Sequence, residues 1–407
     1  MVARGVPVQV TSAPAVAVAA QPVAFGRDPH ARRSRGPSER RHRGNDSEWG
    51  SFLTRFGLNP YCTISASPSA ASEVDSSGSA SDASLVLTLG VQTWGTDVAA
   101  LQRYWAAAEA LGYDRVVYGD GLWPWTCDGW TMLGALAAQT RRVRIGPAVT
   151  YAVDPSSHHP SWLAKRAATV DHLSNGRLDL RLGIGADDDA TRDLWKSHGV
   201  PYPPRAERVD RLAEAVEMIC ALWQGGPVER HGRFGDLVGA VGGPPPVQRP
   251  GPPVWIAAMS ELALTLVARL ADGWEASYLR PAEFARRWRQ LRRLLEAERR
   301  DPQRIRRSIE VDVVLGQSVA DATLALGRFC AARGIDQHHR LVATLLAGDA
   351  TAVQQAASAY EAAGATDLLL GFADFPETGM LEAFAAMVAP VLRAAGTDPN
   401  STSRRPR

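Results

Sequence analysis

The chain has 407 residues, 45% of them hydrophobic and 22% charged. That is enough for one large globular domain or two medium ones, and it rules out wholesale disorder. No apolar run approaches the ~20 residues of a membrane-spanning helix, and a net charge of +2 from 45 basic and 43 acidic side chains argues against a dedicated nucleic-acid binder. The cysteines Cys62, Cys127, Cys220 and Cys330 lie far apart and form no C-x-x-C pair. Neither a disulfide framework nor a structural zinc site is expected, and reduced thiols suit a cytoplasmic protein.

Composition changes near Leu85. Residues 1–26 are rich in Ala, Val and Pro, 27–44 are rich in Arg, and 64–84 are largely Ser, Ala and Asp. No period of 2 or 3.6 runs through them, so 1–84 are expected to be a disordered tail or the product of a start codon set too early. The polar HRGNDSEWG after Arg40-Arg41 argues against a twin-arginine signal, and Asp28, Glu39, Asp46 and Glu48 argue against a transit peptide. A basic arm over 27–44 that touches nucleic acid is the lesser reading. Residues 396–407 also read as a tail.

Between these tails, strand and helix alternate. VLTLGVQ (86–92) is a buried strand, and Asp97 caps the helix after it, which ends at Gly112. DRVVYGD (114–120) is the second strand, with a helix over 130–139, and VRIGPAVTY (143–151) is the third. Pro160 opens a helix over 160–173. After the Asn175-Gly176 turn comes RLDLRLGIG (177–185), the fourth strand. A helix over 205–224 leads to a Pro/Gly-rich excursion (225–253). PVWIAA (253–258) and its helix (260–271) follow, then GWEAS (273–277) and an amphipathic helix over 284–298. SIEVDVVLG (308–316) is the seventh strand, with helices over 319–332 and 350–363. ATDLLLGF (365–372) is the eighth, and a helix over 378–393 is the last. Eight βα units over 85–395 match a (β/α)8 TIM barrel with insertions. A doubly wound sheet would need a phosphate fingerprint after the first strand, and GVQTWGTD is not one.

In such a barrel, ligand groups come from the C-terminal ends of the strands and the loops beyond them. Gln92 and Trp94 follow the first strand, Asp120, Trp123 and Trp125 the second, Thr150 and Tyr151 the third, Gly183 and Gly185 the fourth, and Ala258, Met259 and Ser260 the fifth. The aromatic side chains either wall a planar ligand or serve as core and lid. Gly183-x-Gly185-x-x-Asp188 mimics a dinucleotide motif without its third glycine, and Asp187, Asp188 and Asp189 would repel a phosphate there. Ser260 either caps a plain helix or helps to hold an anion at its start. Asp120 either orients a ring or substrate, or caps the next loop. His158 and His159 are adjacent and lack a third ligand, so no metal site is expected. Neither G-x-S-x-G nor H-E-x-x-H occurs, which removes the commonest hydrolase signatures.

The stretches AEALGYDRVVYGD (108–120), DGWTMLGALAAQTRRVRIGPAVTY (128–151), HPSWLAKRAATVDHLSNGRLDLRLGIG (159–185), GVPYPPRAERVDRLAEAVEMICALWQG (199–225), PPVQRPGPPVWIAA (245–258), ARLADGWEAS (268–277) and AGATDLLLGF (363–372) resemble the luciferase-like monooxygenase superfamily. The subgroup they are most similar to is the coenzyme F-420-dependent oxidoreductases. The resemblance implies a barrel that binds coenzyme F-420, or alternatively FMN, at the strand C-termini. It also implies hydride transfer to or from a small-molecule substrate and an assembly that in this family is often a homodimer; no nucleic-acid or membrane partner is expected from the charge balance and the short apolar runs. Asp120 matches the Asp of the family's Asp-His pair, Val149-Thr150 the site of a non-prolyl cis peptide, and Gly183 and Gly185 the Gly-x-Gly turn. Two positions depart from the pattern. Gly121 stands in place of the family's His, and Ala257-Ala258-Met259-Ser260 replaces its Gly-rich phosphate loop. An FMN-dependent monooxygenase and a barrel that binds cofactor without catalysis are the alternative functions.

Overall fold

The computed structural model describes residues 87–153 and 158–395. The expected tails, the arginine-rich stretch 27–44 and Cys62 lie outside them.

Buried apolar runs form the staves of a barrel. β1 (Thr88–Thr93) is followed by α1 (Val98–Ala110), whose first turn is capped by the Asp97 carboxylate accepting from the Ala100 N–H at 3.0 Å. β2 (Arg115–Tyr118) and α2 (Gly129–Gln139) follow, with Asp128 as the cap of α2. The third stave is broken into β3 (Arg144–Pro147) and β4 (Thr150–Tyr151). The cis peptide between the two halves is Ala148–Val149, one residue before the expected bond. α3 (Pro160–Ser174) ends on left-handed Asn175, at φ 56°. β5 (Leu180–Gly183), α4 (Asp189–Ser197) and α5 (Arg205–Trp223) come next.

The excursion over 225–253 is not irregular throughout. It contains the antiparallel hairpin β6 (Pro227–His231) and β7 (Asp236–Val241). Of its strand residues only Leu237 is buried, so the hairpin shows no apolar alternation to read. The remaining staves are β8 (Val254–Ala257), β9 (Gly273–Ser277), β10 (Arg306–Leu315) and β12 (Asp367–Phe372). Their helices are α6 (Glu261–Leu270), α7 (Pro281–Ala297), α8 (Val319–Arg333) and α9 (Ala350–Ala362). A short β11 (Leu346–Gly348) extends the sheet beside β10. The single last helix expected is two, α10 (Gly379–Met387) and α11 (Ala389–Ala395).

The strand order is β3-β2-β1-β12-β10-β9-β8-β5-β4, with every pairing parallel. β3 and β4 are halves of one stave, and the bridge between Ile145 and Leu178 joins that stave to β5, so the ring closes as a (β/α)8 barrel.

The tube is filled by charge and indole instead of aliphatic layers. Trp255 lies between two guanidiniums, Arg115 at 4.8 Å and Arg181 at 4.6 Å from its ring centroid. Arg115 also binds Asp179 and Asp367, each at 2.8 Å, and Arg181 binds Glu275. All of these side chains are buried. Gly273 has no room for a side chain, because a Cβ there would enter the Trp255 ring. A ligand therefore has to approach the barrel from the other end, where the strands finish.

Candidate active site

Past the Trp255 layer, the C-terminal mouth opens into a cavity of about 940 Å3. Its lining includes Trp94, Asp120, Trp123, Tyr151, Gly183, Gly185, Met259 and Ser260, which the sequence had placed at the strand ends. Trp125, a half-exposed side chain, joins them, stacked on Trp123 with ring centroids 5.7 Å apart and edge-on to Trp94 at 6.4 Å. Three other expected positions are not on this cavity. Gln92 is buried and borders a neighbouring cavity beside Asp312 and Gly371. Ala258 is buried, and its N–H is already bonded to the Glu275 carbonyl at 3.0 Å, so it has no donor left for a ligand. Thr150 is buried and acts on the site through Asp120.

Among the described residues Asp120 accepts no backbone N–H. Its carboxylate accepts from the Thr150 hydroxyl, which in turn accepts from the Trp130 indole N–H at 3.1 Å. Burial pushes the Asp120 carboxyl above its ordinary range, opposed by nearby His158 and the Thr150 hydrogen bond. The His158 Nε2 is 3.6 Å from Asp120 Oδ2. This approach was missed in the sequence, although barrel order makes the loops after the second and third strands neighbours. Gly121, which stands where the resemblance has a histidine, lies under the Trp123 indole. A Cβ there would sit 3.1 Å from Trp123 Cδ1.

The turn after β5 is held from behind. Arg208 Nε donates to the Ile184 carbonyl at 2.8 Å, Arg208 Nη1 donates to Pro203 O at 2.7 Å, and the guanidinium lies over Tyr202. Gly185, at φ 78°, needs the left-handed region, and a Cβ on it would strike the Tyr202 hydroxyl. Each of the three carboxylates that follow has a partner. Asp187 is bound by Arg205 at 2.6 Å and by Arg208, Asp188 caps α4 through the Thr191 N–H, and Asp189 pairs with Arg192. The Arg208 hydrogen bond, with the nearby arginine charges, holds the Asp187 carboxyl below its usual range. Ser260 caps α6, its hydroxyl accepting from Ala263 N at 3.3 Å.

Three further carboxylates stand on the inner wall: Glu275 on β9, and Glu310 and Asp312 on β10. Glu275 and Glu310 line the cavity, and Asp312 borders the adjoining one. Arg181 takes Glu275, and Arg333 takes Asp312 at 3.0 Å. Burial first, then the Glu275 charge, pushes Glu310 up to about 7, and burial pushes Asp312 up to about 6. Alternation along SIEVDVV and GWEAS was the available signal for these residues. Among the described residues, no group of three or more His, Cys, Asp or Glu is arranged to hold a metal ion, and no helix is long and apolar enough to cross a membrane.

The luciferase-like monooxygenase family model matches residues 76–387. The phthiodiolone/phenolphthiodiolone dimycocerosates ketoreductase of Mycobacterium sp. (strain JLS) is 35% identical over 202 residues, 48% of this chain and 50% of that protein. The F420-dependent glucose-6-phosphate dehydrogenase of Microbacterium testaceum is 34% identical over 176 residues, 41% of this chain and 49% of that protein. The chain thus spans about half the length of these curated relatives. In fold it is similar to the coenzyme F420 dependent tetrahydromethanopterin reductase of Methanopyrus kandleri, with a TM-score of 0.64 at 18% identity over 75% of this chain and 99% of that one. The breadth of the family match decides the classification: this chain belongs to the luciferase-like monooxygenase family.

Proposed function

We propose that the protein is an oxidoreductase that exchanges a hydride between coenzyme F-420 and a small organic substrate at the C-terminal mouth of the barrel. The observation that carries this reading is the cavity of about 940 Å3, lined both by the Trp94, Trp123 and Trp125 indoles and by the side-chain-free turn at Gly183 and Gly185. Its size and lining fit a flat ring system. A Cβ on Gly183 would come within 2.8 Å of Val149 Cγ2, so the bare backbone there keeps the wall low. The F420-dependent and ketoreductase relatives support the choice of cofactor and chemistry.

When bound, the deazaflavin supplies or accepts the hydride. The protein's own work is placement. The indoles and Val149 would hold the ring, Ser260 and Arg205 offer polar contacts at the rim, and Asp120, steadied by Thr150, orients the reacting groups. Trp123 and Trp125 keep water from that wall.

Isolation from a host that makes both F-420 and FMN tests the reading. Retention of a deazaflavin absorbance band, bleached or restored by members of a panel of alcohols, ketones and aldehydes, is the expected result. A retained flavin spectrum would move the assignment to FMN-dependent monooxygenation. A retained ring that no substrate reduces or oxidises would leave a binding protein only. Absence of both cofactors, with no binding on titration, would overturn the reading.

A further inference from the structure

Of the three carboxylates on the inner wall, two have arginine partners and one does not. Arg181 neutralises Glu275 and Arg333 neutralises Asp312, whereas among the described residues no cation pairs with Glu310. Glu310 also lines the cavity directly. The groups around it come from each neighbouring element. Glu275 and the Ser277 and Tyr278 hydroxyls lie on the β9 side, Asp312 is two residues along its own strand, and Tyr151 stands on β4. On the β12 side its register neighbours are Leu369 and, beyond it, Gly371, which carry no charge. Tyr278 is held in the left-handed region at φ 52°, unusual for an aromatic residue, and its N–H donates to the Glu310 carbonyl at 3.0 Å. At Gly121, meanwhile, there is no side chain to move a proton.

Resting on the hydride-exchange reading above, we propose that Glu310 is a catalytic acid and base of this enzyme, giving and taking the proton on a carbonyl or alcohol oxygen of the substrate. In the reducing direction, the substrate carbon gains a hydride from the reduced deazaflavin. The carbonyl π pair moves to oxygen, and that oxygen takes the Glu310 proton. The carbonyl becomes an alcohol, the carrier is left oxidised, and the Glu310 carboxylate is reprotonated from water. The reverse order serves alcohol oxidation.

The geometry suits the role. Arg181 and Arg333 hold Glu275 and Asp312 in ion pairs, so Glu310 is the carboxyl of these three that can take up a proton beside a ligand without breaking one. Burial and the Glu275 charge hold it up to about 7, where both forms are populated near neutral pH.

The test uses the full chain and two readouts. Infrared difference spectra of the protein without substrate, stepped through pH about 5 to about 9, should show a protonated-carboxyl component that vanishes near pH 7 and is lost in E310Q, beside the Asp120 and Asp312 signals that both proteins share. In turnover of the alcohol, ketone and aldehyde panel, E310Q should lose roughly 10²- to 10⁴-fold in rate and lose the pH-dependent limb. Its affinity for the coenzyme should change by less than about threefold, and E310D, which still titrates, should recover part of the rate. Wild-type and E310Q spectra that titrate alike, or E310Q turning over with the wild-type rate and pH profile, overturns the proposal and leaves the cofactor assignment standing. A chain that binds neither cofactor overturns both.

Discussion

Replacing Glu310 by glutamine should change the pH dependence of folding in a way that can be calculated beforehand. The carboxyl rises from an ordinary 4.5 to about 7 in the folded protein. A carboxyl raised by folding binds its proton more tightly in the native state than in the unfolded chain. Its neutral form therefore contributes fully below the unfolded value, and stability is lost as pH climbs through the folded value. Each tenfold gain in proton affinity is worth about 1.4 kcal/mol, so the whole rise amounts to roughly 3 kcal/mol. Between about pH 5 and about pH 8 the wild type should lose about 2–3 kcal/mol relative to E310Q, which has nothing to titrate there. Urea unfolding of both proteins at the two pH values, without cofactor, gives the difference directly. E310Q should be the more stable of the two at the alkaline end. Stability curves that run parallel would show that Glu310 ionises as an ordinary surface carboxylate and would refute the description of its surroundings.

Three other outcomes are expected. E275Q leaves the Arg181 guanidinium buried without its partner and should cost about 3–5 kcal/mol by urea unfolding. Because it also removes a charge that raises Glu310, the infrared titration of Glu310 should move to lower pH, and an unmoved titration would disprove that coupling. T150V strips the hydroxyl that joins the Trp130 N–H to Asp120 and should destabilise by roughly 1–3 kcal/mol, measured by the change in urea midpoint. G183A introduces a methyl 2.8 Å from Val149 Cγ2 and should weaken coenzyme binding by about tenfold or more in a fluorescence titration.

Much of the scaffold was legible because helix caps and buried strands are local events. Asp97 and Ser260 cap the helices their positions suggest, and GWEAS is a strand from Gly273 to Ser277, as its pattern implies. The third stave was legible as one run but not as two, because what divides it is the backbone at Ala148–Val149 and not a side-chain pattern. The hairpin of 227–241 escaped because its side chains are mostly exposed. The interior was the larger omission. The fourth strand, RLDLRLG, alternates charged and apolar residues. Its Asp179 and Arg181 turn into the tube while Leu178, Leu180 and Leu182 pack with the apolar core outside it.

For the site, barrel order supplied the rim residues. Order along the chain says which loops are neighbours, but not which way a side chain turns. His158 meeting Asp120, Gln92 lying off the main cavity and Glu310 being left without a cation all depend on that direction.

The indole of Trp255, clamped by Arg115 and Arg181, stops up the tube below the cavity. Among the described residues nothing passes that layer, so the vestibule is a cul-de-sac that fills from the side where the strands end. Whatever settles deepest is the last to leave, and a molecule covered by another has to wait its turn.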